Sequence, residues 1–106
     1  MQVLFDQGTP APLRQFLLNH QVSTAYERDW STLKNGELLQ AAELAGFAVF
    51  VTTDASLKYQ QNLKNRRMSV VVLSTTSWPR IKAHVQSVVL AVDSATPGSY
   101  SEVLIP

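Results

Sequence analysis

Three acids carry the chemistry open to this chain. Asp6 closes the apolar run Met1–Phe5, Asp54 follows Ala48–Thr52, and Glu37 opens the helical stretch Glu37–Ala45. In a chain that alternates strands and helices, strand ends and helix starts gather at one edge of the sheet. The three carboxylates are therefore expected to converge. Clustered carboxylates repel, and they coexist only with a cation or with raised pKa values. Oxygen ligands of this kind select Mg²⁺ or Mn²⁺. Such ions orient water and stabilise a phosphoryl transition state. Taken singly, Asp6 or Asp54 is more simply a helix cap. The joint pattern is what points to a metal site.

The elements that must position these acids follow from the apolar pattern. Met1–Phe5, Val22–Tyr26, Ala48–Thr52 and Met68–Leu73 read as strands, the last a continuous β-branched run buried on both faces. Ser101–Ile105 reads as a short fifth strand at an edge. Thr9 as N-cap and Pro10 at the first helical position predict a helix with Leu13, Phe16 and Leu17 inward. Gly46 is the expected C′ residue of the helix Glu37–Ala45. A polar helix is expected over Ala55–Asn65. A long one is expected from Ser77-Trp78-Pro79, with Ile81, Val85, Val88, Val89 and Val92 in its stripe, and Ala95–Gly98 as the turn after it. Strands alternating with helices predict a parallel sheet covered on both faces, a three-layer α/β/α domain.

Length and composition bound the function. At 106 residues, 45% hydrophobic and 16% charged, the chain is expected to fold as one domain, 1–106. It has no cysteine, which excludes disulfides, thiolate zinc sites and a cysteine nucleophile. No apolar run approaches the ~20 residues of a membrane span. Asp6 breaks the N-terminal run early, so no signal peptide is expected. A cytoplasmic protein with no membrane contact is the expectation. The formal net charge of +1 hides an asymmetry. Asp6, Glu27, Asp29, Glu37, Glu43 and Asp54 crowd the first half, while Lys58, Lys64, Arg66, Arg67, Arg80 and Lys82 run uninterrupted by an acid. An acidic cluster beside a basic face suits a metal site that handles a polyanion. A solvated helix face is the plainer account of the same bases.

VLFDQGTP (Val3–Pro10), GELLQAAELAGF (Gly36–Phe47) and VFVTTD (Val49–Asp54) resemble, in order and spacing, the short PIN-like nucleases of toxin–antitoxin systems. The resemblance covers nearly the whole chain. It implies a small parallel sheet in the strand order 3-2-1-4-5 with helices on both sides, and metal-dependent cleavage of RNA. The family's acids fall on Asp6, Glu37 and Asp54, with Thr52 as the hydroxyl residue before the last of them. Gln7 and Ser56 stand where many relatives carry further acids. They can support the site but not bind a second ion, so one Mg²⁺ or Mn²⁺ is expected rather than two. Lys58, Lys64, Arg66 and Arg67 would hold the RNA backbone. RNA, an antitoxin-like protein or a second copy of the chain in a homodimer are the expected partners.

Two other readings stay open. Gln7 and Ser56 favour a catalytically degenerate interaction module that binds RNA or protein. Asp54 and Thr75 at strand ends resemble a receiver-like phospho-acceptor domain, but such a domain needs paired acids after its first strand. Among the remaining residues, Tyr59 is expected to pack between helix and sheet rather than stack a base. Trp30 is expected as a partner anchor or a lid, Trp78 as a plug at a helix start, and His20 as a helix C-cap. His84 is expected on the surface, and Ser74, Thr75 and Thr76 as capping hydroxyls. No Gly-rich phosphate loop, nucleophile elbow or zinc pattern is present.

Overall fold

The computed structural model describes residues 1–57 and 66–106. Five short strands form one parallel sheet: β1 (Gln2–Phe5), β2 (Gln21–Thr24), β3 (Val49–Thr52), β4 (Ser69–Leu73) and β5 (Tyr100–Val103). Their order is β2-β1-β3-β4-β5, not the 3-2-1-4-5 that the family resemblance implies. The physical reason lies in strand composition. A central parallel strand is covered on both faces and must be apolar along its length. β3 (Val-Phe-Val-Thr) is buried at every residue, whereas β2 (Gln-Val-Ser-Thr) is exposed or half-buried throughout. The polar strand therefore takes the edge and β3 the centre. In register, Val3 lies beside both Val22 and Val49, and Val51 beside Val71.

Side-chain alternation feeds two cores. Val3, Phe5, Val49, Val51, Val71 and Leu73 meet Leu13 and Leu17 on one side, together with the stripe Ile81, Val85, Val88 and Val92. Leu4, Phe50, Val70 and Val72 meet Leu38, Leu39 and Ala42 on the other. That second group belongs to α1 (Asn35–Leu44), which is followed by Gly46 at φ 89°, the left-handed conformation that glycine adopts without strain. Each fully buried Phe or Leu contributes roughly 1.5–3 kcal/mol by leaving water.

Two helices differ from expectation. The segment after Pro10 is a tight 3₁₀ helix, Ala11–Phe16, with Pro10 rather than Thr9 at its N-cap. Thr9 is spent elsewhere, as shown below. The long last helix is two, α2 (Trp78–Ala83) and α3 (Val85–Asp93), joined at His84 with φ −125° and ψ 28°. There the hydrogen bonds tighten to His84 N–H→Ile81 O and Ser87 N–H→His84 O. The apolar stripe continues across this bend. The helix expected over 55–65 falls outside the described residues beyond Leu57, which is buried. Among the described residues, no helix is long and apolar enough to cross a membrane.

Candidate active site

Asp6 stands directly beyond β1, and its backbone N–H bonds Val51 O of β3 at 3.2 Å. From β1 the chain pairs with β2 on one side and β3 on the other. That is the switch in strand order where open α/β sheets form crevices. Burial raises the Asp6 pKa above its ordinary 3.8, against the lowering effect of its hydrogen bonds from Thr52, Thr9 and Gly8. The Thr9 hydroxyl lies 2.7 Å from Asp6 Oδ1 and 2.9 Å from Val51 O. The Thr9 N–H also reaches Asp6 Oδ1, at 3.1 Å.

Thr52 links the two strand-end acids. Its hydroxyl, 1% exposed as a residue, donates to Asp6 Oδ2 and accepts the Asp54 N–H at 3.1 Å. Ser56 in turn fixes Asp54, with its N–H and hydroxyl 3.0 and 2.6 Å from Asp54 Oδ1. Gly8 lets the loop after β1 lie on the end of β3, since a Cβ there would sit 2.5 Å from Thr53 Oγ1. Glu37 is employed differently. Helix α1 starts two residues earlier than expected, which makes Glu37 its third residue, and Glu37 Oε1 accepts the Lys34 N–H at 3.3 Å. This is half of a capping box. Among the described residues, no three of His, Cys, Asp and Glu form a group that could hold a metal ion. The three-acid set is therefore not assembled. What is assembled is the Asp6 carboxylate and the Asp54 backbone N–H on one hydroxyl, with the Asp54 carboxylate held by Ser56.

The bases divide. Lys58 and Lys64 lie outside the described residues, as does Tyr59. Arg66 and Arg67 precede β4 and so lie at its amino end, across the sheet from Asp6. Arg66 pairs with Glu43 of α1 at 3.4 Å, and Arg67 is exposed. The structure does not bring these arginines beside the acids.

Two hollows flank Asp6. One, of about 520 Å³, is lined by Asp6, Thr24, Tyr26, Thr76 and Trp78, among others. The other, of about 170 Å³, is lined by Asp6, Gln7, Trp30 and Leu38, among others. Gln7 lines both. Trp30 is half-buried, edge-on to Phe47 at 6.0 Å, with the Arg28 guanidinium 4.9 Å from its ring. It is thus a wall of the smaller hollow. Trp78 starts α2 as expected and packs on Phe16 at 5.9 Å.

Thr75 accepts the Ser77 N–H at 3.1 Å in the turn before α2, whose N-cap is Ser77 with no side-chain cap bond, so the expected capping role is not filled; Ser74 accepts the Ile105 N–H at 2.8 Å. His84 is exposed. His20 pairs with Asp93 across 2.6 Å and is not the expected C-cap, a place that Leu17 takes. Sequence reasoning missed Thr9 and Tyr26 as site residues, and placed Thr76 at the right edge but as a cap. For Thr9 the available signal was a hydroxyl three residues after an acid. For Tyr26 no local signal exists. In comparisons with known proteins, no family model matches the chain, and neither does a curated protein nor a solved structure.

Proposed function

We propose that the chain is a PIN-like, three-layer α/β/α domain that takes RNA at the carboxyl-end crevice and hydrolyses its phosphodiester bonds. One observation supports the reading: Asp6 and Asp54 follow neighbouring parallel strands at the strand-order switch, and the buried hydroxyl of Thr52 joins the Asp6 carboxylate to the Asp54 backbone N–H. A hard divalent ion is commonly held by one or two carboxylates plus substrate phosphate. Two acids and an RNA phosphate would therefore suffice for Mg²⁺ or Mn²⁺, which supplies charge to the phosphoryl centre. Thr52 and Thr9 orient Asp6, Ser56 orients Asp54, and Glu37 stays with its helix. Under this reading RNA is the substrate, and an antitoxin-like protein or a second copy of the chain is the protein partner.

The test is cleavage of end-labelled RNA with Mn²⁺, with Mg²⁺ and with chelator, using wild type, Asp6→Asn and Asp54→Asn. Metal-dependent cleavage is expected. Asp6→Asn should reduce it by more than the roughly 10–100-fold that loss of an outer-shell partner costs. Folded wild type that cleaves nothing with either ion overturns the reading, as does cleavage indifferent to Asp6→Asn.

A second reading has its own support. Glu37 is committed to capping, and no three-acid group is assembled among the described residues. Both suit a non-catalytic module that binds RNA or protein, which would bind without turnover in the same experiment. The phospho-acceptor reading gains the flavodoxin-like strand order. It lacks the acid pair, because Gln7 follows Asp6.

A further inference from the structure

The larger hollow beside Asp6 is built unlike a phosphate site. Among the described residues, no Lys or Arg lines it, and Asp6 is the single acid. A phosphate there would meet a carboxyl group and no cation. A flat, uncharged ring would meet two aromatic side chains. Tyr26 follows β2 at the same edge as Asp6 and is 78% exposed. Trp78 enters from α2, its ring packed against Phe16 at a 49° tilt. Thr24 and Thr76 add hydroxyl groups to the lining, and Pro10 and Ala11 add apolar surface. The volume, about 520 Å³, lies within the range of small-molecule sites.

We propose that this hollow is a base-binding subsite, in which one unpaired nucleobase of an RNA strand stacks on Tyr26 and Trp78. The polar groups Thr24 and Thr76 serve the edge of the base, and Asp6 lies at the margin of the hollow. Aromatic rings are general stacking platforms because every base has a π-face. The inference rests on the nuclease reading for the identity of the polymer and adds a site to it. Specificity at this position would come from the base, whereas the phosphates lie outside the hollow.

The experiment measures fluorescence anisotropy of a labelled oligoadenylate RNA of about eight nucleotides, within the usual single-strand site sizes. An abasic strand of the same length is the control, and chelator is present throughout, so cleavage plays no part. Wild type, Tyr26→Ala and Tyr26→Phe are compared, each confirmed folded by circular dichroism. Tyr26→Ala is expected to weaken binding about 5- to 160-fold, the span of one stacked base. Tyr26→Phe keeps the ring and should bind as wild type does.

The dependence of affinity on salt should be the same for all three, because no phosphate contact is lost. The abasic strand should bind weakly and equally to all three. Wild-type affinity in Tyr26→Ala overturns the subsite. So does equal binding of the base-bearing and abasic strands by wild type, or no RNA binding at all. Stacking intact with no metal-dependent cleavage removes the nuclease reading alone. Cleavage intact with no effect of Tyr26→Ala removes the subsite alone.

Discussion

The two ends of the sheet treat polar groups in opposite ways. At the amino end, ionisable groups have ionisable partners: Arg66 with Glu43, and His20, its side chain 6% exposed, with Asp93. The buried hydroxyl there, Ser69, donates to Ala48 O at 3.2 Å, a carbonyl that already receives the Ser69 N–H at 2.9 Å. At the carboxyl end, Asp6 has hydroxyls and backbone N–H groups as its described partners, and no cation among them. Two hollows open beside it. A stable domain has no need to bury a carboxyl group without a counter-charge, because desolvation is not repaid there. Where such a group persists at a strand-order switch, it marks the edge available for chemistry. The opposite edge is arranged for cohesion.

The sharpest way to break this contrast is to delete one buried hydroxyl from each edge. Thr52→Val leaves Asp6 Oδ2 and the Asp54 N–H without their shared partner. An unsatisfied buried polar group costs about 1–3 kcal/mol, and each kcal/mol moves Tm by roughly 4–8 °C in a domain of this size. Ser69→Ala removes a donor from a carbonyl that keeps its backbone bond, so its cost stays below about 1 kcal/mol. Thermal melts of both variants at pH 7 make the comparison. Equal Tm losses would mean that the carboxyl edge holds no special network.

The same contrast explains what was legible beforehand. Apolar runs such as Val49–Val51 and Val70–Leu73 located the strands to within a residue or two, because a doubly covered strand leaves little else to place there. The low polarity of β3 and the high polarity of β2 also encode which one is central, yet the family's order overrode that signal. Asp6 and Asp54 were legible as neighbours through connectivity alone. Glu37 was not, because its role turns on a two-residue boundary: as first residue of a helix its carboxylate is unassigned, and as third it closes a capping box. Parallel connectivity also fixes Arg66 and Arg67, since the chain must return to the amino edge before β4 begins. The Tyr26–Trp78 hollow is a product of tertiary packing between segments about fifty residues apart, and periodicity carries no record of it.

A smaller effect separates the edges by its sign. The folded-state pKa of Asp6 is raised by burial, so the folded chain binds that proton more readily than the unfolded chain. Stability from this group therefore falls as pH rises from the ordinary 3.8 through the raised value. Asp6→Asn removes that loss. Its Tm relative to wild type should increase between pH 4 and pH 7 in a melt series. A relative Tm that decreases over the same interval would mean the carboxylate is stabilised in the folded state, as at a paired surface site.

The smallest effect belongs to just such a surface carboxylate. Glu27 forms a two-point pair with Arg14 and also accepts the Thr24 N–H at 2.9 Å. The Arg14 contact comes first among the causes that bring its pKa from 4.5 down to about 2. Here the sign is the reverse of Asp6. The contribution is complete above pH 4.5 and is lost as pH falls towards 2. Because both side chains are well exposed, with relative accessibilities of 39% and 48%, solvent screens the pair and the change in Tm should be slight. Glu27→Gln should flatten the acid limb of the wild-type profile below pH 4.5 and leave the region above pH 5 parallel to wild type. In the Asp6→Asn, Glu27→Gln double variant both pH-dependent contributions should disappear additively, since the two groups have no partner in common. A non-additive profile would show that the acid edge and the surface pair are coupled through Ala11, Thr24 and Tyr26, the residues that line both the Asp6 hollow and the one over Arg14 and Glu27.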